Sequence, residues 1–109
     1  MEMISFEEFK KMDIRTAKIL DVQEHPNADK LYILKIDLGN EERQLVAGIR
    51  QYYAEKDNLI GKDIVIIANL QPRTIRGIES QGMMLAAHDQ SGISILVTDR
   101  QAAAGSAVS

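Results

Sequence analysis

Between Asn69 and Gly82 the chain collects the side chains best suited to hold an anion: Arg73, Arg76 and Ser80, with Met83 immediately after. An arginine presents a planar fork of donors that fits phosphate or carboxylate oxygens. A serine hydroxyl can donate to a phosphate or ribose oxygen, and a methionine offers a flexible apolar contact to a base face. The charged residues of this stretch are Arg73, Arg76 and Glu79, so it is net positive. The plainer alternative for both arginines is a solvated loop charge. Covalent chemistry is a poorer fit. Gly77 to Gly82 has the glycine spacing of a phosphate-binding P-loop, but Met83 and Met84 stand where lysine and a serine or threonine are required. Ser80 is not a nucleophile elbow, because Ile78 replaces the first glycine. A serine nucleophile also needs a nearby base, and the two histidines, His25 and His88, both fall in predicted turns. His25 with Asn27 and Asp29 makes a weak ligand set in a chain without cysteine. A turn in which Asn27 or Asp29 bonds the backbone is the better reading. No catalytic residue, metal or cofactor is expected.

These side chains need a scaffold, and the flanking patterns are those of short strands. Ile64–Ala68 and Met83–Ala87 are apolar runs of strand length on either side of the stretch, which itself reads as a long polar connection. Such a loop in a small chain is usually functional or disordered, and Leu70, Ile75 and Ile78 argue against disorder. Earlier, Ser5 and Glu8 form a capping-box pattern, with Phe6, Phe9 and Met12 on one edge of a short helix over 5–12. That edge is expected to pack on its own domain. Ile14–Gln23 reads as a strand whose buried phase switches from Ala17 and Ile19 to Leu20 and Val22, the mark of a bulge. His25–Asp29 is a turn. Leu31–Leu38 alternates, Gly39–Asn40 closes a hairpin, and Gln44–Ala47 returns as a third strand. Residues 49–60 suit a helical turn or two. His88–Gly92 joins Met83–Ala87 to Ile93–Val97 as a second hairpin.

Five or six short strands with a helical interruption after the third, and no alternation of strand and helix, predict an all-β fold. The best match is a five-stranded OB-fold barrel with short flanking helices. On such a barrel the faces of strands two and three and the loops at their ends commonly bind nucleic acid. Lys30 follows the His25–Asp29 turn, Lys35 lies on the polar phase of strand two, and Arg43 opens strand three, so all three join the candidate surface. Asn69 is either a turn former or a base contact.

Size and composition set bounds. The chain of 109 residues has room for one modest core, and its 5% aromatic content makes that core aliphatic. No run approaches membrane-spanning length and the acidic start lacks an apolar signal core, which makes the cytoplasm the default compartment. The net charge of −3 lowers the expectation of nucleic-acid binding, but the local field decides it. Residues 1–109 read as one domain, with the alanine-rich segment Ala102–Ser109 as a loosely held tail.

The spaced motifs also resemble a known family. Asn69-Leu-Gln-Pro72, Gly77 and Ser80-Gln-Gly-Met83 are similar to the signature of the tRNA-binding domain family. Asp13–Leu20, His25–Leu31 and Arg43–Gly48 fit it in order, so the likeness runs from about Ser5 to Val97. That family includes free-standing tRNA-binding proteins, the C-terminal appendage or separate subunit of methionyl-tRNA synthetase, and the C-terminal domain of the endothelial monocyte-activating polypeptide. The resemblance implies an OB-fold and recognition of the outside corner of folded tRNA, usually by a homodimer. It also implies that Ser80 and Met83 touch tRNA and that a methionyl-tRNA synthetase catalytic subunit is a partner. Together the residues and the likeness predict a non-catalytic tRNA-binding module, an appended domain or subunit that raises a synthetase's tRNA affinity. Its candidate contacts are Lys30, Lys35, Arg43, Asn69, Arg73, Arg76, Ser80 and Met83. The alternatives are an export-related peptide-binding chaperone of the same fold and a dimerisation appendage that never touches RNA.

Overall fold

Alternating aliphatic residues drive the barrel. A computed structural model describes residues 1–109, and its longest strand, β1 (Ile14–Glu24), is the one every other part is arranged about. Its first half pairs antiparallel with β4 (Asp63–Ile67), from Ile14↔Ile67 to Lys18↔Asp63, and its second half with β2 (Tyr32–Asp37), from Lys18↔Asp37 to Glu24↔Tyr32. The register slips between Ile19 and Asp21. The extra residue bends the strand, and the bend lets one strand serve both edges. The expected bulge is therefore present at Leu20. The phase switch works differently from the expectation, however: Leu20 is turned outward while Ala17, Ile19 and Val22 are buried.

β2 pairs in turn with β3 (Glu42–Ala47), and β4 with the two-residue β7 (Met83–Met84). The sheet order is β3-β2-β1-β4-β7, and its two ends, β3 and β7, touch. The result is a nearly closed five-stranded antiparallel barrel of OB type. Ile19, Leu34, Ile36, Leu45, Ile64 and Ile66 fill it, all essentially without solvent exposure. Each such side chain contributes about 1.5–3 kcal/mol by leaving water. Between β3 and β4 lies a single 3-10 turn, Lys56–Leu59, which sends Leu59 into the core.

Four other features depart from the sequence expectation. The 69–82 segment is not one long connection: β5 (Arg73–Ile75) and β6 (Ile78–Ser80) pair within it as a hairpin. The short run of unlike residues hides the pairing, because only three residues on each side take part. The Met83–Ala87 strand is broken at Leu85, whose N–H bonds Val65 of β4, and beyond it β8 (Ala86–Asp89) pairs with β9 (Gly92–Ile95). The alanine-rich tail is not loose. Thr16 and Ser106 exchange bonds, Gly105 N–H donates to Thr16 O at 2.9 Å, and Val108 N–H donates to Ile14 O at 2.9 Å. Small side chains allow that close run along β1.

The helix, α1 (Phe6–Lys10), has the capping box its sequence predicts: Glu8 N–H donates to Ser5 Oγ and Ser5 N–H to Glu8 Oε1, both at 3.1 Å. Its apolar edge packs on its own domain only at Phe9, which is half-buried. No residue of α1 is buried, and Phe6 is 68% exposed beside exposed Met3, Ile4 and Met12. No helix is long and apolar enough to cross a membrane.

Candidate nucleic-acid interface

The β5–β6 hairpin carries the two arginines, and its mounting begins at its turn. Arg76 and Gly77 join the strands, both with positive φ, 53° and 88°. Two successive positive φ values are what a two-residue type I′ turn requires, and Asn-Gly is its usual sequence. Gly77 has open space around it, so its role is conformational. Arg76 is the one non-glycine residue in the chain with positive φ. A long β-carbon-bearing side chain in that region costs roughly 1–2 kcal/mol.

Two anchors hold the hairpin. His25, almost fully buried, accepts a hydrogen bond on Nδ1 from Asn27 N–H at 3.0 Å. The ring proton is thereby assigned to Nε2, which donates to the carbonyl of Ile75 at 3.1 Å. One imidazole thus ties the turn after β1 to the strand that leads into Arg76. The second anchor is a zip along β3. Gln44 donates to Glu79 O at 2.8 Å, Gln81 N–H donates to Gln44 O at 2.9 Å, and Gln44 N–H donates to Gln81 Oε1 at 3.0 Å. Val46 N–H donates to Ser80 Oγ at 3.0 Å, and the same hydroxyl donates to Gly82 O at 3.1 Å. Gly82 then passes so close to the barrel that a Cβ would lie 3.0 Å from Ile67 O. Ser80-Gln81-Gly82 is therefore the closure of the barrel, with side chains standing in for a missing stretch of sheet.

The predicted site residues separate accordingly. Ser80 is 4% exposed and its single hydroxyl hydrogen is already donated. Asn69 accepts from Asp13 N–H at 2.8 Å and donates to Lys11 O at 2.6 Å, which fixes the entry from α1 into β1. Arg43 donates to Ala68 O at 2.6 Å and pairs with Glu41. Lys35 is exposed and lies 3.3 Å from Glu42. Lys30, Arg73, Arg76 and Met83, in contrast, are all exposed, and the charged groups of the three cations make no ion pair and no side-chain hydrogen bond. The structure brings these four to one region. Lys30 and Arg76 share a cleft with Leu31 and Ile75 at its base. Arg73 and Met83 border an apolar groove that also reaches Leu31 and Ile75.

Lys35 and Arg43 belong to a different groove, on the outer face of β1–β3. There Asp21, Glu42 and Glu79 outnumber them. Phosphate is attracted by net positive potential; Asp29 is the one carboxylate lining the two grooves that hold Lys30, Arg73 and Arg76, while Glu79 of β6 lines the other groove, so the former have the more favourable field.

A family model described as "Putative tRNA binding domain" matches residues 14–107. The chain belongs to that family. It is 55% identical over 108 residues to a methionine–tRNA ligase of Thermococcus onnurineus (strain NA1), covering 99% of this chain but 15% of that protein. The chain thus spans about one seventh of the length of the synthetases it matches, with shares of 14–16%. Among solved structures, a MetRS-related protein from Pyrococcus horikoshii superposes with a TM-score of 0.91 at 30% identity, covering 99% of both chains. The CsaA chaperone protein from Picrophilus torridus superposes at 0.90 and 32% identity, over 98% of this chain and 100% of that one.

Within this tRNA-binding domain, His25, Gln44 and Gln81 anchor the hairpin through contacts that their local sequence does not mark. His25 reads as part of a turn, Gln44 as the start of the third strand and Gln81 as a member of the Ser80-Gln-Gly-Met83 motif, none of which announces an anchoring role. Their partners lie 50 and 37 residues away, so no local pattern marks them.

Proposed function

We propose that this chain is a non-catalytic module that binds folded tRNA by shape and backbone contact, with the β5–β6 hairpin as its principal contact. Membership of the tRNA-binding domain family supports the ligand class, and the observation that carries the site is the convergence of unpaired Lys30, Arg73 and Arg76 about that hairpin. Lys30 and both arginines meet phosphates, and Met83 lies against sugar or base. Ser80 and Asn69 serve by building the loop rather than by touching RNA, since their polar groups are committed internally. Lys35 and Arg43 are at most peripheral contacts.

The synthetase likenesses support a role as an appended domain or subunit that raises the tRNA affinity of a methionyl-tRNA synthetase. The exposed apolar edge of α1 supports a homodimer, with two hairpins acting on one RNA. Filter binding or fluorescence anisotropy with bulk tRNA tests the reading. Arg73→Ala with Arg76→Ala is expected to weaken binding at least about ten-fold at low salt while the fold is retained. Unchanged affinity would contradict it.

The apolar groove and the likeness to a chaperone favour one second reading, a peptide-binding role. It predicts binding of unfolded apolar polypeptide that is indifferent to Arg76→Ala and to salt.

A further inference from the structure

The apolar groove beside the hairpin has properties that a phosphate contact alone does not use. It encloses about 320 Å3, at the lower end of the range for small-ligand sites and enough for one nucleoside. Ile75, Met83, Met84, Ala86 and Ile93 give it an apolar lining, and Arg73 and His88 are the charged or titratable residues in its wall. None of its lining residues is acidic, although the chain as a whole has a net charge of −3. Asp89, the carboxylate next in sequence to His88, is engaged elsewhere: it accepts from Ser91 Oγ at 2.7 Å and from Ser91 N–H at 2.9 Å.

We infer that this groove receives one unstacked nucleoside of the bound RNA, the base against Met83 and Ile93 and the adjoining phosphate at Arg73. The inference rests on the reading that the chain binds tRNA, and deepens it by naming a subsite. An occupant must be apolar over its faces and negatively charged at one end, because the walls are aliphatic and the rim carries a cation without a counter-ion. A nucleotide has that distribution. An unstacked base buries its faces against apolar side chains, and its edge still needs hydrogen-bond partners. His88, exposed at the rim, supplies ring nitrogens for that edge. An uncharged apolar peptide would match the lining and leave Arg73 without a partner.

Methyl NMR of the full chain, titrated with folded bulk tRNA while binding is followed by anisotropy in the same samples, tests this. A base in the groove is expected to move the Ile75, Met83, Met84 and Ile93 methyl resonances upfield through its ring current, with Leu45 and Ile66 in the barrel unmoved. Ala86→Leu, which fills the groove, is expected to lower tRNA affinity about five-fold or more, because one base face then loses its burial against apolar side chains. If that variant misfolds, Met83→Ala is expected to weaken binding in the same direction.

If tRNA binds and the groove methyls keep their free positions, or the folded variants bind as tightly as wild type, the nucleoside subsite is overturned and tRNA binding stands. If tRNA does not bind, the proposed function fails as well. Groove methyls that respond to an apolar peptide but not to tRNA, or to protein concentration alone, would assign the groove to a peptide or to a second copy, and would likewise overturn the inference.

Discussion

Arg76 is the residue where stability and binding pull apart. Its φ of 53° is one that arginine adopts at a cost and asparagine or glycine adopts readily. An outlier that persists on an exposed turn, with no contact to recompense it, is the kind that function retains. Arg76→Asn is therefore expected to raise stability by about 1 kcal/mol in denaturant unfolding while weakening tRNA binding. Lower stability in that variant would remove the argument from strain. Ser80 predicts the reverse pattern. Its hydroxyl satisfies Val46 N–H inside the closure, so Ser80→Ala leaves a buried donor unpaired and is expected to cost about 1–3 kcal/mol. Its effect on RNA binding should appear only as far as the hairpin shifts.

At the scale of elements, the hairpin is held by contacts remote in sequence. His25→Ala removes the bond to Ile75 O and is expected to speed hydrogen exchange across Thr74–Glu79, with the barrel strands protected as before. Equal protection in the variant would show that the β3 zip suffices alone. The strands were largely legible in the sequence because apolar alternation records burial on a closed sheet: Leu34, Ile36 and Leu45 face inward as their spacing requires. The bulge near Leu20 was legible too, because it breaks that alternation. The β5–β6 hairpin was not, since Arg-Gly is an unusual turn pair and its strands are too short for periodicity to register. The site was legible by residue type but not by role. Arginine, serine and asparagine all suit RNA contact, and what separates Ser80 and Asn69 from Arg73 and Arg76 is committed hydrogen bonds, with burial added at Ser80 alone, and both depend on chain segments far away. The tail shows the same limit: Ala107 pairs with Arg15, a relation that composition cannot express.

For the whole molecule, α1 is an element without a core. Five helical residues are too few to be stable alone, and an exposed run of Met3, Ile4, Phe6 and Met12 is expected to be covered by a second copy. Sedimentation is expected to give a dimer for the wild type and a monomer for Phe6→Glu. Its tRNA affinity should fall by about a hundred-fold or more, because two linked hairpins gain from effective concentration. A monomeric wild type with full affinity would dissolve that link.

An acidic chain that binds tRNA must do so by local charge and by the shape of the folded RNA. The most direct measurement is affinity for bulk tRNA and for an unstructured RNA of equal length across a salt series, with wild type and the Arg73→Ala/Arg76→Ala variant. Strong preference for folded tRNA and a falling log–log salt dependence are expected. In the double variant the slope should shrink by about two, close to one for each lost phosphate contact. Equal affinity for both RNAs, or a slope unchanged in the variant, would contradict that mode of binding.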